Sequence, residues 1–145
     1  MIAVRIQADD FDTGREINRL EQAAGAVASF TGVVRGDDGL TAMMLEHYPA
    51  MTEAALKEIA AEAERRWPII DGIVIHRVGR LEPGARIVLV AVASRHRQAA
   101  LEACAFLIDW LKTKAPFWKL EEFGDGTRRW VDARAEDDTA AEKWD

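Results

Sequence analysis

The chain is poor in cysteine. Its 145 residues include one, Cys104, so neither an intrachain disulfide nor a cysteine-rich zinc site can form. Cys104 stands between two alanines on the apolar side of a helical pattern, the setting of an inert core thiol rather than a nucleophile. Histidine is scarce too: His47, His76 and His96 are far apart and lack ligand spacing, so no metal site is expected. The glycine patterns that cradle phosphates, Gly-x-x-x-x-Gly-Lys and Gly-x-Gly-x-x-Gly, are missing, as is the Gly-x-Ser-x-Gly nucleophile turn. No apolar run reaches the roughly 20 residues that cross a bilayer. Arg5, Asp9 and Asp10 interrupt the apolar start, so no signal peptide is expected and the cytoplasm is the expected compartment. Positive charge is in deficit. A net charge of −6 argues against general affinity for nucleic acid or anionic membranes. Repeats, low-complexity tracts and linkers are absent as well.

What is present suits one globular domain. With 49% apolar residues, a chain of this length loses roughly two thirds of its unfolded surface on folding. A single domain over residues 1–134 is expected, followed by an acidic tail, 135–145, that frays. Ile2 to Gln7 alternates as a strand does, and Phe11 to Ala24 carries a short helical pattern that Gly25 ends. Gly25 to Arg35 and Leu40 to Tyr48 read as strands joined by the turn Gly36-Asp37-Asp38-Gly39, which suggests a hairpin. Thr52 is read as the N-cap of a helix that Pro68 stops after Trp67. Ile69 to Val78 and Arg86 to Ala93 follow as strands, the second apolar without alternation and so buried on both faces. Ser94 is read as the cap of a helix running to about Lys114, and Phe117 to Phe123 and Arg129 to Ala133 as short extended pieces. The order implies an α+β domain with a mixed sheet and about three helices. The five tryptophans, Trp67, Trp110, Trp118, Trp130 and Trp144, read as core or interface, because no basic groove surrounds them.

Charge is distributed unevenly. Between Ser94 and Lys119 five Lys/Arg face two acids, a local +3 that leaves −9 on the rest. Arg95-His96-Arg97 opens a helix, where free N–H groups favour an anion but cations oppose the dipole. Two readings stay open there: an anion site, or arginines turned to solvent. The run Lys112-Thr113-Lys114-Ala115-Pro116-Phe117-Trp118-Lys119 then crowds three ammonium groups beside two aromatic rings. Helix capping accounts for a lysine in the last turn, but not for Lys119 beyond the proline. A lysine desolvated among other cations has its pKa lowered, which suits proton transfer near neutral pH. Spacing alone leaves this functional reading open beside a structural one. Arg35, closing a strand before a turn, is either a ligand contact or a solvated strand end.

These residues carry a resemblance. Gly25-Ala26-Val27 through Phe30-Thr31-Gly32-Val33-Val34-Arg35, Leu45-Glu46-His47-Tyr48-Pro49 with Met51-Thr52, and His76-Arg77-Val78-Gly79 with Leu81 and Pro83-Gly84 form its first half. Ser94, His96-Arg97, Leu111 to Lys119 and Arg129-Trp130-Val131-Asp132-Ala133-Arg134 complete it. In these stretches the chain resembles the large, catalytic subunits of molybdopterin synthase, the MoaE family. The resemblance implies a hammerhead-type α+β fold and an enzyme that places the two dithiolene sulfurs of molybdopterin on cyclic pyranopterin monophosphate. It implies that sulfur arrives as the C-terminal Gly-Gly thiocarboxylate of a small ubiquitin-like partner, and that two large subunits form the centre of a heterotetramer. It implies Lys112 and Lys119 as catalytic residues, and Val33, Val34, Arg35, His96, Arg97, Leu120, Glu121 and Arg134 as further substrate-site residues. Arg134 is the one implied to reach the neighbouring copy's pocket. No resident metal or cofactor is implied. Two departures stand out: the turn at Gly36–Gly39 is short, and Leu120 occupies a place where a basic residue is common. The alternatives are a non-catalytic module that docks a ubiquitin-like tail, and a pterin-phosphate sensor without a sulfur-carrying partner.

Overall fold

The computed structural model describes residues 1–131 and 135–145. It is built on β6 (Arg86–Ser94), the apolar run that the sequence marks as buried on both sides. Val88, Val90 and Val92 point to one side of it and Leu89, Ala91 and Ala93 to the other, all buried. Around it forms the first sheet, in the order β1 (Ile2–Gln7), β4 (Ile69–Arg77), β6 and β2 (Ala26–Val33). The β1–β4 pair is parallel and the other pairs are antiparallel.

The valine face is covered by α2 (Pro49–Arg66) and α3 (Arg97–Lys114), which supply Leu56, Ile59, Ala63, Ala103, Phe106, Leu107 and Leu111. The opposite face is covered by α1 (Thr13–Glu21) through Leu20, with Phe11 beside it. A second sheet has the order β5 (Gly79–Leu81), β3 (Leu40–His47), β7 (Phe117–Phe123) and β8 (Arg128–Trp130). Its own small core is Val34, Leu40, Leu45 and Leu81.

The α+β class and single-domain architecture are as expected, but four details differ. First, β2 and β3 do not form a hairpin; they belong to different sheets. Beyond β2 the Val34 N–H donates to the Ala85 carbonyl (2.9 Å) and the Val34 carbonyl accepts from the Gly84 N–H (2.8 Å). These bonds draw the chain to the β5–β6 turn, and Asp38 and Gly39, both at positive φ, then reverse it into the second sheet. The edges of β3 are taken by β5 and β7.

Second, Ser94 is not a cap. It is buried in β6 and its hydroxyl donates to the Pro68 carbonyl (2.9 Å), so α3 starts at Arg97 after His96. The carbonyl of Arg95 passes so close to Gly25 that any side chain there would collide with it. Third, Thr52 lies inside α2, which begins at Pro49, a residue suited to a first helical turn. Its fully buried hydroxyl donates to the carbonyl of Pro116 (3.0 Å).

Fourth, there are four helices among the described residues rather than about three. The acidic segment provides α4 (Ala135–Glu142), with Glu136, Asp137 and Asp138 in the first turn, where the dipole favours negative charge. Trp144 anchors it: the indole N–H donates to Asp109 (2.7 Å) and the ring packs edge-on against Trp67 and Phe106. Acidic composition concealed these two aromatic contacts.

The Thr52–Pro116 bond joins a helix of the first layer to the entry of β7. Thr52→Val keeps the volume but strands a buried carbonyl, so it is expected to lower unfolding free energy by about 1–2 kcal/mol. Urea denaturation of the two proteins checks this; an unchanged midpoint would mean that water replaces the bond at no loss.

Candidate active site

The two lysines singled out in the sequence meet where α3 ends and β7 begins. Ala115, preceding proline, is extended, and Pro116 cannot continue the helix, so the chain leaves α3 and enters β7 at Phe117. Alternation along β7 puts Phe117, Lys119 and Glu121 on one face and Trp118 and Leu120 on the other. In the β3 register Lys119 lies opposite Leu45, and Phe117 opposite His47. Lys112, in the last turn of α3, stands close enough to Lys119 for their side chains to hydrogen-bond. Lys114 faces another way, with its ammonium 4.6 Å from the centre of the Trp110 ring.

The environment of Lys119 is hostile to its charge. Burial, then repulsion by Lys112, lowers its pKa to about 8, against the weaker opposing pull of Asp137 and Glu121. Beside it sits His76, at the end of the apolar strand β4 and 4% exposed. Its imidazole stacks on Phe117 with centroids 3.8 Å apart and planes 12° from parallel. Nδ1 lies 2.8 Å from the Arg77 carbonyl, and since a carbonyl only accepts, Nδ1 carries the proton. Burial holds the His76 pKa down at about 4; the Arg77 bond opposes this, while Lys119, Lys112 and His47 add to it. His47, the cross-strand neighbour of Phe117, also stacks with it, 6.2 Å between centroids. The reverse face of the same strands opens as a groove lined by Glu46, His47, Tyr48, Trp118 and Trp130, with Tyr48 edge-on to Trp118.

The other residues of the expected site are spread out. Val34 is core, whereas Val33 and Arg35 are exposed at the end of β2, with Arg35 paired to Asp37 (3.6 Å). That end of β2 pairs with the start of β6, and α3 runs back along β6, so Arg35 lies towards the Lys112 end of the helix. Leu120 is buried and Glu121 is half-buried in an ion pair with Arg129 (3.0 Å). His96 and Arg97 are exposed at the opposite end of α3. At 1.5 Å per residue they stand about 22 Å from Lys112, so one copy of the chain does not bring them to the lysines. Arg134 lies outside the described residues. Reasoning from the residues alone passed over His47 and His76 because they lack ligand spacing. The available signal was a histidine closing the apolar run Ile73-Val74-Ile75, a position that buries it.

Cys104 is a core thiol as expected: its Sγ faces the Val90 carbonyl (3.8 Å), and burial pushes the thiol up to about 11. Among the described residues no group of three or more His, Cys, Asp or Glu is placed to hold a metal ion. None of their helices is long and apolar enough to cross a membrane.

Comparison with known proteins gives a consistent result. The family model described as MoaE protein matches residues 6–114. The molybdopterin synthase catalytic subunit of Pseudomonas aeruginosa is 51% identical over 150 aligned residues, covering 99% of both chains. A solved MoaE protein from Burkholderia ambifaria, at 54% identity, superposes with a TM-score of 0.84 over 99% of this chain and 98% of that one. The crystal structure of molybdopterin synthase from Staphylococcus aureus, 33% identical, superposes with a TM-score of 0.76 over 88% and 95%.

A lysine whose pKa falls on folding destabilises the native state wherever the unfolded chain keeps it protonated. The penalty is largest below pH 8 and disappears as pH rises from about 8 towards 10.5. Lys119→Met, which keeps the apolar stem and drops the charge, is therefore expected to raise stability at pH 7 by roughly 1–3 kcal/mol. The gain should shrink above pH 9. Denaturant titrations at pH 7 and pH 9.5 check the sign, and equal stability of the two proteins at pH 7 would contradict it.

Proposed function

Because the chain belongs to the MoaE protein family, we propose that it is the catalytic subunit of molybdopterin synthase, an enzyme of molybdenum cofactor biosynthesis. It transfers sulfur from the C-terminal thiocarboxylate of a small ubiquitin-like subunit to cyclic pyranopterin monophosphate, in the cytoplasm. The observation that carries this reading is the Lys112–Lys119 pair, in which a half-buried amine of pKa about 8 adjoins a second, exposed lysine.

The chemistry needs both halves of that pair. At pH 7 roughly a tenth of the Lys119 side chain is neutral, against less than a thousandth for an ordinary lysine. Lys112 supplies positive charge to hold the incoming thiocarboxylate. Attack by its sulfur forms a carbon–sulfur bond to the pterin-derived substrate as a carbon–oxygen bond at the same carbon breaks, the oxygen leaving as water or with the phosphate group. Water then cleaves the acyl–sulfur bond, leaving sulfur on the substrate and returning the partner's C-terminal carboxylate. Lys119 takes the proton that the attacking water releases, a task for a base with a pKa near the working pH. Arg35 pairs with the substrate phosphate from the end of β2, a role that its exposed position allows once Asp37 yields. The aromatic groove of Tyr48, Trp118 and Trp130, on the reverse face of β7, suits a narrow glycine tail.

His96 and Arg97 belong to this scheme only through a second copy. Their distance from Lys112 along α3 supports a reading in which the α3 start of one protomer completes the pocket of its neighbour, within a central homodimer flanked by small subunits.

The test is a reconstitution of this protein, a thiocarboxylated small subunit and cyclic pyranopterin monophosphate, with dithiolene product read by mass spectrometry. Product should require the thiocarboxylate, and Lys112→Ala should lower turnover by 100-fold or more, as loss of a proton-handling or charge-stabilising group does. Wild-type turnover by Lys112→Ala with saturating partner would remove the lysine pair from the mechanism.

A further inference from the structure

His76 is more than core filling. Four observations converge on it. Its ring is fixed from above by the parallel stack on Phe117 and from the side by the Nδ1–H bond to the Arg77 carbonyl. That bond leaves Nε2 with a free lone pair, at the edge of the ring that points away from the backbone of β4. Phe117 and Lys119 are two residues, roughly 7 Å, apart on one face of β7, and the imidazole stacked on Phe117 feels the charge of Lys119. The charged or titratable groups that act on the ring come from three elements, Lys112 from α3, Lys119 from β7 and His47 from β3, while β1 and β6 place apolar Ile6 and Val88 opposite it. Lysine side chains only donate, so a fixed neutral acceptor in their midst has a defined partner.

We propose that His76 is a positioning residue for the lysine pair, holding Phe117 in place and presenting Nε2 as the acceptor that orients the Lys119 amine during turnover. It does not touch substrate; it acts through Lys119. Its low pKa supports this role, because a ring that stays neutral at working pH adds no third positive charge beside the lysines and keeps its acceptor free. The inference rests on the assignment of Lys112 and Lys119 as the reacting pair.

Two substitutions separate this role from packing. The amide nitrogen of Asn reproduces Nδ1–H and can keep the Arg77 bond, while the amide oxygen of Gln reproduces the acceptor at Nε2. In the reconstituted assay with saturating partner, His76→Asn is expected to lose about tenfold or more in kcat with little change in KM, the scale of a small misplacement of a reacting group. His76→Gln should stay within about threefold of wild type, and the limb of the pH–rate profile near pH 8 should move in His76→Asn only. Rescue by Asn but not by Gln would overturn the proposal, as would wild-type turnover and an unmoved pH profile in His76→Asn.

A measurement on the wild-type protein keeps the question open to refutation if either variant misfolds. Imidazole ¹⁵N spectra should show His76 protonated at Nδ1 and bare at Nε2, with the Nε2 shift responding as Lys119 titrates near pH 8. The opposite tautomer, or no response, would refute the role. Lys119→Ala in the same assay distinguishes the two failures. If it turns over normally, the lysine assignment itself falls; if it is inactive while His76→Asn is fully active, only the positioning role falls.

Discussion

The junction between α3 and β7 is the constraint on which the site depends. Pro116 ends the helix, and its carbonyl is tied to the buried hydroxyl of Thr52 from α2. Within the next three residues the chain passes from the last turn of a helix on the first sheet into the central region of the second. That transition puts Lys112 and Lys119, seven positions apart, side by side, with Phe117 between them as the platform for His76. A longer connection would let the two ammonium groups separate and relax their repulsion; this one does not. The stress is tolerated because the surrounding core is extensive and β6 is buried on both faces.

Electrostatics and packing therefore pull in opposite directions at this site. Burial depresses Lys119 and keeps His76 neutral, and the charges of Lys119 and Lys112 push the His76 pKa further down. Asp137 of α4 and Glu121 of β7 partly offset the cationic field without cancelling it. The result is a small basic cluster in a chain whose net charge is negative.

Much of this was legible in the residues. The non-alternating run from Ile87 to Ala93 announced a strand buried on both sides, Pro116 announced the end of α3, and the crowding of Lys112, Lys114 and Lys119 marked the site. Pattern failed where long-range bonding overrode local preference. Ser94 and Thr52 have cap-forming side chains, but both hydroxyls are spent on proline carbonyls of other segments. The turn at Gly36–Gly39 looked like a hairpin because sequence periodicity does not say which edge a strand will pair with. Acidity masked α4, whose stability comes from Trp144 and Ala141 against α3 and not from its own pattern.

The sequence by itself determined the class of fold and the family, because these follow from residue type, order and motif, and it marked a cluster of three lysines without choosing among them. Only the tertiary structure decided which cations act together. It separated Lys114, turned towards Trp110, from the pair, and it set His96 and Arg97 at the far end of a rigid helix. It also brought in His76, 36 positions before Lys112, through a ring stack. The physical reason is that a pKa and a shared pocket depend on burial and on distances through space, and neither is a property of position along the chain.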